Sequence, residues 1–343
     1  MNKSIFVIYP SGKLGDLIWH LPFFKHISEL KNQSIYLITR KNTSAQELLI
    51  NEEYIRSVFY IDFKKYFHNY LSDIFKIYLL LKRNKAEEVW ILDKNSRPAI
   101  AASLAKIRKI NGYGIGNQSL WVNNKNKLQK RDLKTHYIDR GIKFFELQNY
   151  PIKYEFIKMN LNKGSTNLFN FLYKKNLKII IYGVDSSEMY RSWPINYFAE
   201  LINKINTKYK LFHILIASPT NSNIADKIIS EVDTKDITNY SHLKLGEIVN
   251  LLNISDLFIG NDSGILNLSA AVGLKSIGIY GATKSNKYSN KIIPALAKTG
   301  EIFSKYSDRP IDRKGRTIKD PSFAKRVKPD DVFKIFKDEI EKE

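Results

Sequence analysis

The sequence predicts an α/β protein made of two doubly wound, parallel-sheet domains facing each other across a cleft. Three observations carry this. Short apolar runs alternate with helical patterns over the first third; the alternation lapses near Tyr150 and then restarts; and glycine-rich or polar turns follow several of the apolar runs.

In the first set, SIFVIY (4–9), SIYLIT (34–39), SVFYID (57–62) and EVWILD (88–93) read as buried strands, β-branched or aromatic and bounded by polar residues. Helical stretches at 17–30, 43–50, 66–83 and 98–106 separate them, the βαβ alternation of a parallel sheet. A linker falls within 140–176. The second set is LKIIIYG (177–183), LFHILIA (211–217), DLFIGN (256–261) and SIGIYG (276–281), with helices near 194–206, 222–230, 245–252 and 264–272. The tail, 328–343, reads as an exposed amphipathic helix with Val332, Ile335, Phe336 and Ile340 along one face. The expected division is a first domain over 1–160, a second over 161–325 and a C-terminal helix over 326–343.

Composition narrows the function classes. A chain of 343 residues, 43% hydrophobic, has enough apolar content for a core in each domain. The absence of cysteine excludes a disulfide framework, a thiol nucleophile and a cysteine zinc site. His26, His68, His213 and His242 lack metal-ligand spacing, so no metal site is predicted. The run Ile5–Tyr9 is too short for a signal peptide, and Ile77–Leu81, flanked by Lys and Arg, is too short to span a bilayer. A cytoplasmic protein is the expectation. The net charge of +21 attracts polyanions, but the lysines are dispersed, so charge alone selects no partner.

In open parallel sheets, ligands bind beyond the carboxyl ends of strands, where backbone amides and helix N-termini are free. Three stretches sit there. The first is YPSGKLGDLIWHLP (9–22), in which Gly12, Lys13 and Gly15 lead to Asp16. It has the spacing of neither a Walker A loop nor a dinucleotide fingerprint. Asp16 is placed to cap the following helix, and His20 to line a cleft or to pack. The second is VDSSEMYRSWP (184–194), where Ser186, Ser187 and Arg191 could hold a diphosphate; otherwise Arg191 is a surface charge and Trp193 a packing residue. The third is IGNDSGILNLSAAVG (259–273): a strand ends in Gly260-Asn261-Asp262, and Ser263-Gly264 opens a helix whose first amides, at Ser263, Gly264 and Ile265, favour anionic oxygens. YGATKSN (280–286) adds another glycine turn.

Together these stretches resemble the ADP-heptose:lipopolysaccharide heptosyltransferases, glycosyltransferase family 9. The family's G-D-x-L/I-x-x-x-P is matched by Gly15-Asp16-Leu17-Ile18 with Pro22, and its K/R-x-W-P by Arg191-Ser192-Trp193-Pro194. Its D-S/T-G-x-x-H-x-x-A-A is matched by Asp262-Ser263-Gly264 with Ala270-Ala271, and its G-P-T by Gly281-Ala282-Thr283. The order holds over nearly the whole chain, down to KPDDVFKIFKDEI at the C-terminus.

The resemblance implies a GT-B fold of two Rossmann-like domains, with the acceptor on the first and the nucleotide-sugar on the second. It implies an inverting enzyme that needs no metal or other cofactor. Asp16 is then the general base, and Arg191 holds the donor diphosphate. Ser187 and the Ser263 and Gly264 amides add phosphate contacts, Asp262 holds sugar hydroxyls or orients its loop, and the backbone near Leu243 meets the base. Asn267 and Thr283 complete the donor side; Gly12, Lys13, Gly15 and His20 belong to the acceptor loop. The implied partners are a nucleotide-sugar, ADP-heptose, and an anionic glycolipid or oligosaccharide acceptor, compatible with a peripheral position at the cytoplasmic face of the inner membrane. Asn267 stands where the family has histidine, Ala282 where it has proline, and SPTNSNIADK (218–227) lacks an acid for the ribose unless Asn221, Asn223 or Asp226 replaces it.

Two other classes stay open on the residues. A nucleotide-sugar-binding protein of the same fold without transferase activity is compatible with Asn267. A basic nucleic-acid-binding protein would need clustered Lys/Arg with interleaved aromatics, a helix-turn-helix or an RNP pattern, and none is visible.

Overall fold

The computed structural model describes residues 4–64, 67–160, 176–281, 283, 288–296, 312 and 318–342. The chain divides into two units, Met1–Ile157 and Lys158–Glu343.

The first unit is a five-stranded parallel sheet in the order β3-β2-β1-β4-β5. Its strands are β1 (Ser4–Ile8), β2 (Ile35–Thr39), β3 (Ile55–Tyr60), β4 (Ala86–Ile91) and β5 (Lys109–Gly112). All five residues of β1 are buried, as a central strand covered on both faces requires, and Val7 pairs with Leu37 on one side and Trp90 on the other. The helices are α1 (Leu14–Lys31), the single turn α2 (Ala45–Leu48), α3 (Phe67–Arg83), α4 (Arg97–Leu104) and α5 (Tyr137–Leu147). Phe6, Ile38, Ile77, Leu81, Ile91 and Ala102 belong to its core. The segment after α5 packs back on α1: the Tyr154 hydroxyl donates to the Trp19 carbonyl at 2.8 Å, and Phe156 lies 4.4 Å from the Trp19 ring.

The second unit is a six-stranded parallel sheet, β11-β10-β9-β6-β7-β8. It comprises β6 (Lys178–Gly183), β7 (Leu211–Ile216), β8 (Ile237–Asn239), β9 (Leu257–Asn261), β10 (Ser276–Tyr280) and β11 (Ile292–Leu296). Its helices are α6 (Ile195–Asn206), α7 (Ser222–Ser230), α8 (Leu245–Asn253), α9 (Gly264–Ala271) and α10 (Pro329–Ile340). At the ends of β6 and β9, Gly183 pairs with Gly260. A Cβ on Gly260 would lie 2.8 Å from the Gly183 carbonyl oxygen, so glycine is what lets these strand ends meet.

The two sheets confirm the predicted class, and the departures have physical causes. Helix α1 begins at Leu14 rather than Leu17, because Gly15 does not prevent the turn closed by the Leu17 amide on the Lys13 carbonyl at 3.1 Å. Asp16 is therefore in the first helical turn and is not the N-cap. Strands β5, β8 and β11 were not predicted. The first two are only four and three residues long, and β11 contains Pro294, which an edge strand tolerates. Helix α10 is docked rather than exposed: Val332 and Phe336 are fully buried in the core of the second unit.

Candidate functional site

In each sheet the strand order reverses once, between β1 and β4 in the first unit and between β6 and β9 in the second. Chain segments leaving neighbouring strands in opposite directions open a crevice at such a point.

In the second unit the crevice is built by the loops after β6 and β9. The Arg191 Nη1 donates to Asp262 Oδ2 at 3.2 Å, both side chains being largely buried. The Thr283 hydroxyl donates to the same carboxylate oxygen at 2.7 Å. Arg191 Nε reaches the Tyr190 hydroxyl at 3.3 Å, whereas Nη2 is buried and has no hydrogen-bond partner among the described residues. Burial works to lower the Arg191 pKa; Asp262, Tyr190 and Glu188 outweigh it, and the pKa is raised. Arg191 thus stays a cation with one donor uncommitted, as an anion site needs.

Trp193 anchors this loop. Its amide donates to Asn261 Oδ1 at 2.9 Å, its indole to the Val327 carbonyl at 2.8 Å, and its ring lies edge-on to Phe198. Asn261, buried at the end of β9, ties the two loops together, and its Nδ2 has no hydrogen-bond partner among the described residues. Sequence reasoning missed Asn261; its only signal was its place between a strand and Asp262.

Ser263 occupies the N-cap of α9 in extended conformation without a side-chain cap bond, and Gly264 and Ile265 form the first turn. Asn267 is half-buried one turn later, its amide on the Ser263 carbonyl at 3.4 Å. Ser186 accepts from the Glu188 amide at 3.4 Å, and Ser187 is exposed beside it. Leu243 is buried after β8, its amide on the Tyr240 carbonyl. Gly281 is locked in place, since a Cβ there would lie 2.4 Å from the Phe323 carbonyl oxygen. Ala282 lies outside the described residues. Asp185, at the end of β6, accepts from the Ser218 amide and hydroxyl and from Asn221, whereas Asp226 bonds Asn239. Asp185 thus ties the loop after β7 to the loop after β6.

In the first unit, Asp16 stands half-buried past the end of β1. The Ser11 hydroxyl donates to Asp16 Oδ2 at 3.0 Å, and Lys13 is exposed. Gly12 passes close to Arg40, whose Cδ would lie 3.0 Å from a Cβ at that position. Gly15 is buried within α1. His20 is 1% exposed; it stacks on Tyr9 at 4.0 Å and on Tyr137 at 5.4 Å. Its Nδ1 lies 2.7 Å from the Asp16 carbonyl, which only accepts, so Nδ1 carries the proton. Burial pushes the His20 pKa down to about 3, which keeps the ring neutral. His20 therefore supports the backbone of Asp16 from within the core. Burial, then the fields of Asp16 and, more weakly, Tyr113 and Asp93 raise the Tyr9 pKa. Asp93 follows β4, so both strands at the reversal point end near a carboxylate.

The sequence profile of glycosyltransferase family 9 (heptosyltransferase) matches residues 74–318. The chain belongs to this family. Solved structures of the family share its fold. The glycosyltransferase family 9 protein of Veillonella parvula has a TM-score of 0.78 at 16% identity, covering 99% of this chain and 98% of that one. ADP-heptose lps heptosyltransferase II of E. coli gives 0.72 at 16%, covering 98% of each chain. Heptosyltransferase WaaC of E. coli, solved with ADP, gives 0.66 at 14%, covering 99% and 98%. No curated protein matches the chain by sequence. The family assignment makes the chain a glycosyltransferase with the GT-B fold. Among the described residues, no group of three or more His, Asp or Glu is arranged to hold a metal, and no helix is long and apolar enough to cross a membrane.

Proposed function

We propose that this glycosyltransferase moves heptose from ADP-heptose onto a lipopolysaccharide core or related surface glycan, by inversion and without a bound metal. The observation that carries this reading is the Arg191–Asp262–Thr283 group, with its buried, uncommitted guanidinium nitrogen beside the first turn of α9. A diphosphate satisfies that donor and accepts from the amides of Ser263, Gly264 and Ile265. The structures of WaaC with ADP and with ADP-2-deoxy-2-fluoro heptose support an adenine nucleotide-sugar as donor.

Inversion is one in-line displacement at the anomeric carbon. Asp16 takes the proton from the acceptor hydroxyl as that oxygen bonds to the sugar, and the anomeric bond breaks towards the diphosphate. Ser11 holds one oxygen of Asp16, and the neutral ring of His20 fixes the turn beneath it. Arg191 and the α9 amides receive the charge that develops on the leaving group, the part played by a metal in other transferases. The acceptor is an anionic glycolipid or oligosaccharide, met at the cytoplasmic face of the inner membrane, where the net charge of +21 favours association.

Thermal unfolding in the presence of ADP and ADP-heptose tests the donor assignment. At about a hundredfold excess over Kd, binding adds about 2.7 kcal/mol, a shift of several degrees, and Arg191→Ala should abolish most of it. Equal shifts in wild type and variant, or none in either, would refute it.

A further inference from the structure

In the first unit the loops after β1, β2 and β3 meet on one side chain. Arg40, half-buried, is the first residue after β2. Its Nη2 donates to the Phe63 carbonyl at 3.0 Å, in the loop after β3, and its guanidinium carbon lies 6.0 Å from the centre of the Phe63 ring. On the other side its stem packs on the loop after β1: a Cβ at Gly12 would lie 3.0 Å from Arg40 Cδ and 3.7 Å from Nη1. The Arg40 carbonyl accepts from the Thr43 amide at 3.1 Å and hydroxyl at 2.6 Å, so its backbone is fixed as well. A second tie runs beside it, from the Thr39 hydroxyl to the Ser11 carbonyl at 3.4 Å. Ser11 in turn bonds Asp16. Neither Arg40 nor Phe63 matches any of the family motifs above.

This packing is not the most stable one available to the chain. Phe63 is 2% exposed and has a φ of 51°, in the left-handed region that bulky side chains avoid. Arg40 Nε is buried and has no hydrogen-bond partner among the described residues. A strained aromatic residue and an unpaired buried donor both lower stability, so stability does not account for them. Such strain persists where surrounding contacts over-determine it, and Arg40 supplies the contact at the strained residue's own carbonyl. A guanidinium suits the place because its flat fork lets one nitrogen hold Phe63 while another lies along Gly12. A lysine ammonium reaches one side or the other.

We infer that Arg40 is a positioning residue for the transfer reaction, bracing the loop after β1 against the strained turn at Phe63 and so setting the place of Ser11 and Asp16. It touches no reacting atom in this role. The inference rests on the proposed reading of Asp16 as general base and adds what aims that base. A shift of about 1 Å in a catalytic group costs about a hundredfold in rate, with donor binding left intact.

Two measurements on the full chain test it. The first needs no substrate. Gly12→Ala sets a methyl group against an Arg40 stem held at both ends, so it should lower the Tm by about 2 °C or more. In Arg40→Ala the same methyl meets no stem, and Gly12→Ala should leave the Tm unchanged or raise it. The second is ADP release from ADP-heptose with heptose-free lipopolysaccharide as acceptor. Arg40→Ala should lower kcat about 10–100-fold, with acceptor KM and ADP-induced stabilisation unchanged. Arg40→Lys should stay near Arg40→Ala, and added ethylguanidinium, which replaces the missing fork, should restore part of the rate to Arg40→Ala alone. Lys41→Ala, on the exposed neighbouring lysine, should match wild type. Melting curves establish that each variant folds. Equal Tm changes in the two backgrounds, a kcat within about twofold of wild type, a loss confined to acceptor KM, or full activity in Arg40→Lys would each overturn the inference. Transfer lost in Asp16→Asn but kept in Arg40→Ala sinks the inference alone. Transfer kept in Asp16→Asn sinks the reading on which it rests.

Discussion

In the second unit Asp262 is gripped from two sides, by Arg191 and Thr283, and the loop behind it is pinned by Trp193 and Asn261. In the first unit Asp16 bonds the Ser11 hydroxyl within its own loop and rests on His20 through its backbone. The same strand plan thus carries two kinds of site. In the second unit a charged clamp is made by short contiguous motifs. In the first unit a neutral hydroxyl five residues earlier in the chain bonds the carboxylate.

The sharpest way to break this comparison is Asp16→Asn. The amide keeps the shape and the Ser11 contact but cannot take a proton. Transfer should fall by about 10²–10⁴, with ADP binding unchanged. A variant that retains transfer would remove Asp16 from the chemistry, and one that also loses ADP would show a defect beyond the first unit.

Next in size is Trp193→Ala. The ring is buried against Phe198, and its indole satisfies the Val327 carbonyl, so truncation should cost about 3–5 kcal/mol. The loss should appear in hydrogen exchange of β6 and β9 while β1 and β4 keep their protection. A uniform loss would mean that the two units unfold as one.

The same contrast decides what was legible in the sequence. The strand-end cluster of the second unit could be read because its residues sit in contiguous motifs: Arg191 with Trp193, and Asp262 with Ser263 and Gly264. Asn261 escaped because a buried amide at a strand end has no pattern of its own. The join between the loops after β4 and β5 escaped for a different reason. Asp93 and Gln118 are brought together by the pairing of β4 with β5, and β5, four residues long and half polar, gives no strand signal. The start of α1 was misplaced because a glycine next to an acid looks like the entrance to a helix rather than its first turn. Helix α10 was legible as amphipathic, but not which surface its apolar face would find.

Acid should probe both units together. His20 in the first unit and His213 in the second are buried, with pKa values pushed down to about 3 and about 4 by loss of hydration. His213 is held between the Tyr182 hydroxyl and Asn206. The unfolded chain takes up these protons near pH 6.5 and the folded chain does not. Between pH 6.5 and about 4, stability should therefore fall as pH falls, by up to about 1.4 kcal/mol per pH unit for each histidine. His213→Gln should flatten this slope for the second unit only, as followed by urea unfolding across that range. An unchanged slope would mean that carboxylates, and not the buried rings, set the acid response.

The smallest expected effect is also the finest test of the clamp. Thr283→Val removes the hydroxyl that donates to Asp262 and keeps the volume. Asp262 Oδ2 then holds Arg191 without its second donor. Losing one such bond costs about 1 kcal/mol, so ADP affinity should drop about fivefold with little change in global stability. Asp262→Asn should act in the opposite direction on Arg191: it relieves the charge pairing, frees the guanidinium for the diphosphate and loosens the loop. If Thr283→Val weakens ADP and Asp262→Asn does not, the carboxylate serves to aim Arg191 rather than to bind the donor. If both weaken it equally, Asp262 is itself part of the donor site.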